Sequence, residues 1–231
     1  MLKISGLNQF YGESHTLWDV ELEVPEGKCT CLMGRNGVGK TTLLNCIMGQ
    51  LSLQSGIINY GETDLTKLAM EQRARLGIGY VPQGRQIFPM LTVEENLRIG
   101  LPMRPDKKKH IPEFIYELFP VLKEMLGRRG GDLSGGQQQQ LAIGRALVID
   151  PKLLILDEPT EGIQPNVVAE IGDVIRKLNT EIGLTVLIVE QKLPIVRKVA
   201  DSFSILDRGR TKASGLVSEL SEKLVKEYLT V

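Results

Sequence analysis

The sequence predicts a single α/β domain with a parallel core sheet and an all-helical insertion. Residues 153–156 and 185–189 are almost wholly apolar, as is typical of strands buried on both faces of a parallel sheet. Between about residues 84 and 149, strand signals give way to helical spacing. Because the sequence shows no internal repeat or linker, we expect one domain over residues 1–231, with 84–149 inserted into a core of 1–83 and 150–231.

The composition is that of a soluble globular protein. Hydrophobic residues make up 42% and charged residues 24%, and 28 basic residues balance 28 acidic ones. The neutral balance excludes a wholesale basic surface for nucleic acid. Polar residues interrupt the longest uncharged stretch, 41–61, so it does not predict a membrane span. No secretory signal is visible, and three cysteines favour a reducing cytoplasm over a disulfide framework.

Apolar alternation and turn residues define the elements before the insertion. The predicted strands are residues 2–4, 20–24, 29–33, 56–60 and 78–81. The third of these runs into a glycine-rich loop, and the residues after that loop have helical spacing. This order, strand then loop then helix, is the local framework for the first candidate site.

Helices dominate the insertion, and strands return after it. Thr92 and Glu95 form a capping box that starts one helix, and further helices are predicted over 112–126 and 134–149. After the two apolar strands, residues 202–206 predict another strand. The remaining prediction is a terminal amphipathic helix over 216–229.

The glycine-rich loop matches the phosphate-binding pattern GxxxxGK[ST] between a strand and a helix. Glycines let backbone N–H groups surround phosphate oxygens, and the helix N-terminus adds positive potential. Lys40 would neutralise the outer phosphates, and the Thr41 hydroxyl would bind Mg²⁺. The loop predicts nucleotide binding but does not separate kinases, GTPases and ATPases. Its predicted binding residues are Gly34, Arg35, Asn36, Gly37, Val38, Gly39, Lys40, Thr41 and Thr42.

Two carboxylates follow the apolar strand 153–156. Parallel sheets bind ligands at the carboxyl ends of their strands, so Asp157 and Glu158 are expected at the phosphate site. Asp157 would hold Mg²⁺, and Glu158 would act as the general base that polarises the attacking water. The pair favours hydrolysis over transfer to a second substrate.

A second anion-binding loop lies in the insertion. Ser134, Gly135, Gly136 and Gln137 form a serine-capped helix start that has no phosphate-loop lysine of its own. One chain therefore holds two incomplete halves of a phosphate clamp. We expect a head-to-tail dimer in which each Ser134 loop closes over ATP held by the partner's Lys40.

Together these motifs resemble the ATP-binding subunits of ABC transporters, and the resemblance covers the whole chain. It implies a P-loop NTPase fold with an N-terminal antiparallel β subdomain, an ATPase that uses ATP and Mg²⁺, and a peripheral position at the cytoplasmic face of the inner membrane. The implied partners are membrane permease subunits, a sister ATP-binding subunit or a second copy, and indirectly a solute-binding protein. No nucleic-acid partner is implied.

The resemblance also assigns roles to residues outside the three motifs. It implies that Tyr11 stacks on adenine and that Gln83 senses Mg²⁺ and the attacking water. Gln191 stands where the family usually has a histidine that contacts the γ-phosphate, and Gln164 lies near the place of a missing aspartate. An amide can donate a hydrogen bond but cannot carry the proton, which leaves Glu158 as the base. The implied catalytic residues are Glu158, Lys40, Gln83 and Gln191, and the metal ligands Thr41, Gln83 and Asp157.

Several segments are similar to one branch of the family, which takes up branched-chain amino acids, short-chain amides and urea. They are residues 82–97, 161–165 and 189–191. Residues 6–18 and the loop 34–39 are more similar to the urea member. This similarity indicates an importer of a small polar solute.

Two other classes of function remain open at this point. Non-transport ABC ATPases act on DNA or ribosomes, although no sustained heptads lie between Lys40 and Leu133. A P-loop kinase would not need the Ser134 loop. The apolar loop 87–91 is either core or a docking groove for a permease helix, and the basic run 107–110 is expected to be a solvated loop.

Overall fold

The structure is a computed structural model, and it describes residues 1–229. Its strands are β1 (Leu2–Tyr11), β2 (Ser14–Val24), β3 (Cys29–Met33), β4 (Ser55–Tyr60), β5 (Thr63–Asp64), β6 (Ile78–Val81), β7 (Leu153–Asp157), β8 (Thr185–Val189), β9 (Ser202–Asp207) and β10 (Arg210–Leu216). Its α-helices are α1 (Lys40–Met48), α2 (Met70–Arg75), α3 (Val93–Arg98), α4 (Glu113–Leu118), α5 (Pro120–Glu124), α6 (Gly135–Val148), α7 (Pro165–Thr180), α8 (Leu193–Val199) and α9 (Glu222–Tyr228).

The strands form two sheets. An antiparallel sheet has the order β2-β1-β4-β5, and the second sheet has the order β10-β9-β3-β8-β7-β6. All neighbours in the second sheet are parallel except the β9–β10 pair. The predicted α/β fold with a parallel core sheet and an antiparallel N-terminal sheet is confirmed. This order places the carboxyl ends of β3, β8 and β7 side by side.

The central strands are buried on both faces. Every residue of β3, β7 and β8 is buried, which explains their continuous apolar sequences. Alternate residues of β7 pack into two different hydrophobic cores, one on each face of the sheet, because successive side chains of a strand point to opposite faces. Leu154 and Leu156 pack with the helices of the insertion, whereas Leu153 and Ile155 pack with the antiparallel sheet and α1.

The helices α3 to α6 lie between β6 and β7 in the chain, as predicted. The capping box that starts α3 is present, with the Thr92 hydroxyl accepting from the Glu95 amide at 3.2 Å. Gly144 of α6 leaves room for side chains of α3, α4 and α5, because a Cβ there would lie 3.2–3.3 Å from three of them. Within residues 1–229, no helix combines the length and apolar character needed to cross a membrane.

Two predicted helices were wrong in extent. The helix expected over 112–126 is broken at Phe119, which has φ −133° and ψ 74°. Pro120 follows it, and a proline disfavours the helical conformation of the residue before it. The terminal helix expected over 216–229 begins only at Glu222. Leu216 ends β10, residues 217–219 form a separate 3₁₀ turn, and the Ser221 hydroxyl caps the start of α9.

Candidate active site

The phosphate loop connects β3 to α1 and encloses the Lys40 ammonium. Gly39 caps α1 with φ 108°, and a Cβ there would lie 2.7 Å from Leu17 Cδ2, so only glycine fits. Lys40 Nζ donates to the carbonyl oxygens of Gly34 at 2.8 Å and Arg35 at 2.9 Å. Burial lowers the pKa of Lys40, whose side chain is only 5% exposed. The loop therefore fixes the Lys40 ammonium at the N-terminus of α1.

Asp157 ends β7 directly below this loop and is 2% exposed. Its Oδ2 accepts from the Thr41 hydroxyl at 3.3 Å, whereas its buried Oδ1 has no hydrogen-bond partner within residues 1–229. Burial raises the pKa of Asp157 from 3.8 to about 6. An unpartnered carboxylate oxygen beside a threonine hydroxyl fits a hard divalent cation, since Mg²⁺ is bound by one or two carboxylates plus substrate oxygens.

Glu158 is turned into the site by its backbone. Its φ of 47° lies in the left-handed region, which is uncommon for a residue with a side chain and is concentrated at functional sites. The Glu158 amide donates to the Val189 carbonyl at 3.0 Å, which fixes this turn to the end of β8. As a result, Glu158 Oε1 lies 3.6 Å from Lys40 Nζ.

Two amide side chains meet the Glu158 carboxylate. Gln191 Nε2 donates to Glu158 Oε1 at 2.7 Å and also to Asn36 Oδ1 of the phosphate loop at 2.7 Å. Gln83 Nε2 lies 3.4 Å from Glu158 Oε2 and donates to Glu161 at 2.9 Å. Three of the predicted catalytic residues, Lys40, Gln83 and Gln191, therefore meet at the carboxylate of the fourth, Glu158.

An open cavity of about 300 Å³ lies over this cluster. It is lined by Thr16, Asn36, Gly37, Gly39, Lys40, Thr41, Thr42, Gln83 and Glu158. Thr16 was not predicted because it lies in β2, outside the phosphate-loop segment 34–42. Among the described residues, the lining therefore holds one cationic group, Lys40, and one acidic group, Glu158, beside hydroxyl and backbone N–H groups, which suits a phosphate chain bound with a metal ion.

Two predicted binding elements lie outside the cavity lining. The Ser134 loop starts α6, where the Ser134 hydroxyl accepts from the Gln137 amide and Gln137 Oε1 accepts from the Ser134 amide. Tyr11 lies at the end of β1 and is about half exposed. Neither Tyr11 nor the Ser134 loop lines this cavity. The structure therefore does not bring the phosphate loop and the Ser134 loop, the two halves of the expected clamp, together within one chain.

The pKa of Asp157 has a consequence for stability. A carboxyl that titrates near pH 6 when folded and near 3.8 when unfolded favours folding in its protonated form. Its contribution is therefore complete below about pH 4 and is lost as the pH rises to about 6, by roughly 3 kcal/mol at most.

We expect Asp157→Asn to stabilise the nucleotide-free protein at pH 7 because the substitution removes this buried charge. Urea unfolding of both proteins in EDTA at several pH values measures the free energies. The stability advantage of the variant should grow between about pH 4 and 6 and then level off. A difference that is constant across this range would contradict the assignment.

The fold and the site together define a P-loop ATPase. Residues 17–161 match the ABC transporter family, so the chain belongs to that family. The chain is 42% identical over 212 residues to the high-affinity branched-chain amino acid transport ATP-binding protein BraG of Pseudomonas aeruginosa, covering 91% of this chain and 90% of BraG. It is 37% identical to the probable branched-chain amino acid transport ATP-binding protein LivF of Archaeoglobus fulgidus, covering 96% and 94%. The predicted family and its amino-acid uptake branch are confirmed.

Solved structures share the fold. A nucleotide-free ATP-binding cassette from an ABC transporter superposes with a TM-score of 0.83 at 31% identity, covering 99% of this chain and 94% of that one. A dimeric cassette in a post-hydrolysis state, bound to ADP and Pi, has a TM-score of 0.83 at 26% identity, covering 94% and 99%. The chain is thus an ATPase of an ABC transporter.

Proposed function

We propose that this chain hydrolyses ATP to power an importer of branched-chain amino acids or urea. The observation that carries the hydrolysis mechanism is the convergence of Lys40, Gln83 and Gln191 on the Glu158 carboxylate. The amino-acid solute is supported by the relatives, and urea only by the resemblance of residues 6–18 and 34–39. An action on DNA or ribosomes is not favoured by these relatives.

The phosphates of ATP would bind over the phosphate loop. Backbone N–H groups and the α1 N-terminus would hold the phosphate oxygens, and Lys40 would leave its loop carbonyls to neutralise them. Thr41, Asp157 and Gln83 are the proposed groups for Mg²⁺, which when bound neutralises phosphate charge. Binding in this form would give the buried Asp157 Oδ1 the partner that it lacks within residues 1–229 of the free chain.

Glu158 is the proposed general base. It is the carboxylate nearest to Lys40, and its Oε1 and Oε2 face two amide donors that can orient it toward an attacking water. Gln191 replaces the family's histidine and can donate to the γ-phosphate but cannot accept a proton. Proton removal therefore falls to Glu158 alone.

The Ser134 loop is proposed to act on ATP held by a second subunit. Its capped helix start is formed and ready to bind an anion, yet it lies outside the cavity of its own chain. A head-to-tail dimer, with a sister subunit or a second copy, would bring it to the partner's phosphates. The similar cassette bound to ADP and Pi is dimeric, which supports the formation of a dimer.

The loop 87–91 is proposed to dock a permease helix. Of its apolar residues, Ile87 packs against the core, whereas Phe88 is exposed and Met90 is 71% exposed. The loop follows Gln83 closely, so a helix bound there would contact the segment that reaches Glu158. We further propose that residues 84–149 act as one helical subdomain and that the assembled chain lies at the cytoplasmic face of the inner membrane.

The transport function is tested by isolating the assembled complex and measuring uptake. We expect the tagged chain to co-purify with membrane permease subunits, and vesicles of that complex to accumulate labelled leucine or urea only with ATP. Accumulation of one solute and not the other decides between them. Co-purification with ribosomes or DNA and no permease would overturn the proposal.

A further inference from the structure

Glu190 is a buried carboxylate at the end of β8, beside the site but outside the cavity lining. It follows the last residue of the strand and is 3% exposed. A carboxylate this buried is costly unless hydrogen bonds satisfy its oxygens. In Glu190 both oxygens are satisfied, and the donors come from two different loops.

One oxygen binds the loop that carries Gln191. Glu190 Oε1 accepts from the backbone amides of Gln191 at 2.8 Å and Lys192 at 3.0 Å. These bonds fold the chain back on the Glu190 side chain directly after the strand. The backbone from which the Gln191 side chain extends is therefore fixed by a charge-assisted pair of bonds.

The other oxygen binds the loop that carries Glu158. Glu190 Oε2 accepts from the hydroxyl of Thr160, which is fully buried, at 2.5 Å. A second hydrogen bond joins the same two loops: Lys192 Nζ donates to the Thr160 carbonyl at 2.8 Å. The loops after β7 and β8 are thus tied together at two points.

We propose that Glu190 and Thr160 are positioning residues that set the Gln191 amide against Glu158. This inference rests on the proposed roles of Gln191 and Glu158. A glutamine side chain has three rotatable bonds and needs a fixed backbone to hold one orientation. The Glu190–Thr160 pair supplies that fixed backbone on both sides of the Gln191–Glu158 contact.

The test removes the Thr160 hydroxyl without changing the size of the side chain. Thr160→Val deletes the donor, and Thr160→Ser keeps it, which makes a matched pair. Each is made in the full-length chain, alone and in a Gln191→Ala background, and kcat and KM for ATP are measured. A displacement of about 1 Å can cost roughly a hundredfold in rate.

We expect Thr160→Val to lower kcat at least about tenfold with KM changed less than about twofold, and Thr160→Ser to recover at least about half of the wild-type kcat. In the Gln191→Ala background, Thr160→Val should add less than about a twofold loss, because the contact it supports is gone. A purely structural role would instead lower the melting temperature and reduce kcat equally in both backgrounds.

Two results would overturn the inference: a Thr160→Val enzyme with more than half of the wild-type kcat, or a full further loss in the Gln191→Ala background. If Thr160→Val does not fold, Glu190→Gln is measured instead, alone and in the Gln191→Ala background. The oxygen of the new amide still accepts from both backbone N–H groups, but the bond to Thr160 is weaker because the negative charge is gone. Failure of the proposed function is distinct, because then Gln191→Ala alone would keep normal kcat.

Discussion

Glu158→Gln is expected to lower the rate of ATP hydrolysis by about 10²–10⁴-fold, the range that general-base catalysis supplies. The amide keeps the shape of the side chain and can still meet Gln191 and Gln83, but it cannot take a proton from water. ATP affinity should stay within a few-fold or rise, because the substitution removes a negative charge 3.6 Å from Lys40. Phosphate release under saturating ATP measures the rate, and a fluorescent nucleotide measures the affinity.

Glu161→Gln is the matched control for this prediction. Glu161 lies three residues further along the same loop and accepts from the same Gln83 amide, at 2.9 Å. Within residues 1–229, no ion pair or hydrogen bond joins its carboxylate to Lys40 or Gln191, so we expect a change in kcat of less than about fivefold, as for an exposed polar contact. Near-normal hydrolysis by Glu158→Gln, or an equal loss in Glu161→Gln, would rule out Glu158 as the base.

The parts of the site that could be predicted from the sequence are those carried by consecutive residues. The phosphate loop needs glycines at fixed spacing before a lysine, and its chemistry follows from that one segment. The strands β7 and β8 were recognisable because burial on both faces demands continuous apolar residues. The predicted terminal helix was too long because apolar spacing does not mark where a helix begins: residues 217–219 form a 3₁₀ turn, and α9 begins only after the Ser221 cap.

Contacts between distant segments could not be predicted because they depend on strand order and register. Asp157 pairs with Val189 across neighbouring parallel strands, so the residues that follow each strand lie side by side. This register brings Glu158 to Gln191 and Thr160 to Glu190 across about 30 residues of sequence. The sequence shows Glu190 directly after a wholly apolar strand, but nothing in it revealed that this carboxylate is buried or that Thr160 is its partner.

Lys40→Met is expected to weaken ATP binding by roughly a hundredfold, which corresponds to about 3 kcal/mol for a lost charge-assisted bond in a buried site. Methionine keeps much of the apolar stem of lysine and removes the ammonium. Without it, nothing at this position would offset the Asp157 and Glu158 carboxylates, whose charges act on Lys40 in the folded chain and would repel phosphates. Hydrolysis should be lost at ATP concentrations that saturate the wild-type chain, and equilibrium binding of a fluorescent nucleotide measures the affinity.

The contrast with Ser134→Arg separates the two halves of the phosphate clamp. Ser134 lies outside the cavity lining of its own chain, so the nucleotide affinity of the isolated Ser134→Arg variant should be within about twofold of wild type. The variant should still lose ATP hydrolysis, because hydrolysis needs the Ser134 loop of a partner. Lys40→Met should lose both. Unchanged affinity in Lys40→Met would contradict the phosphate site, whereas normal hydrolysis by Ser134→Arg would contradict the head-to-tail dimer and leave the phosphate site standing.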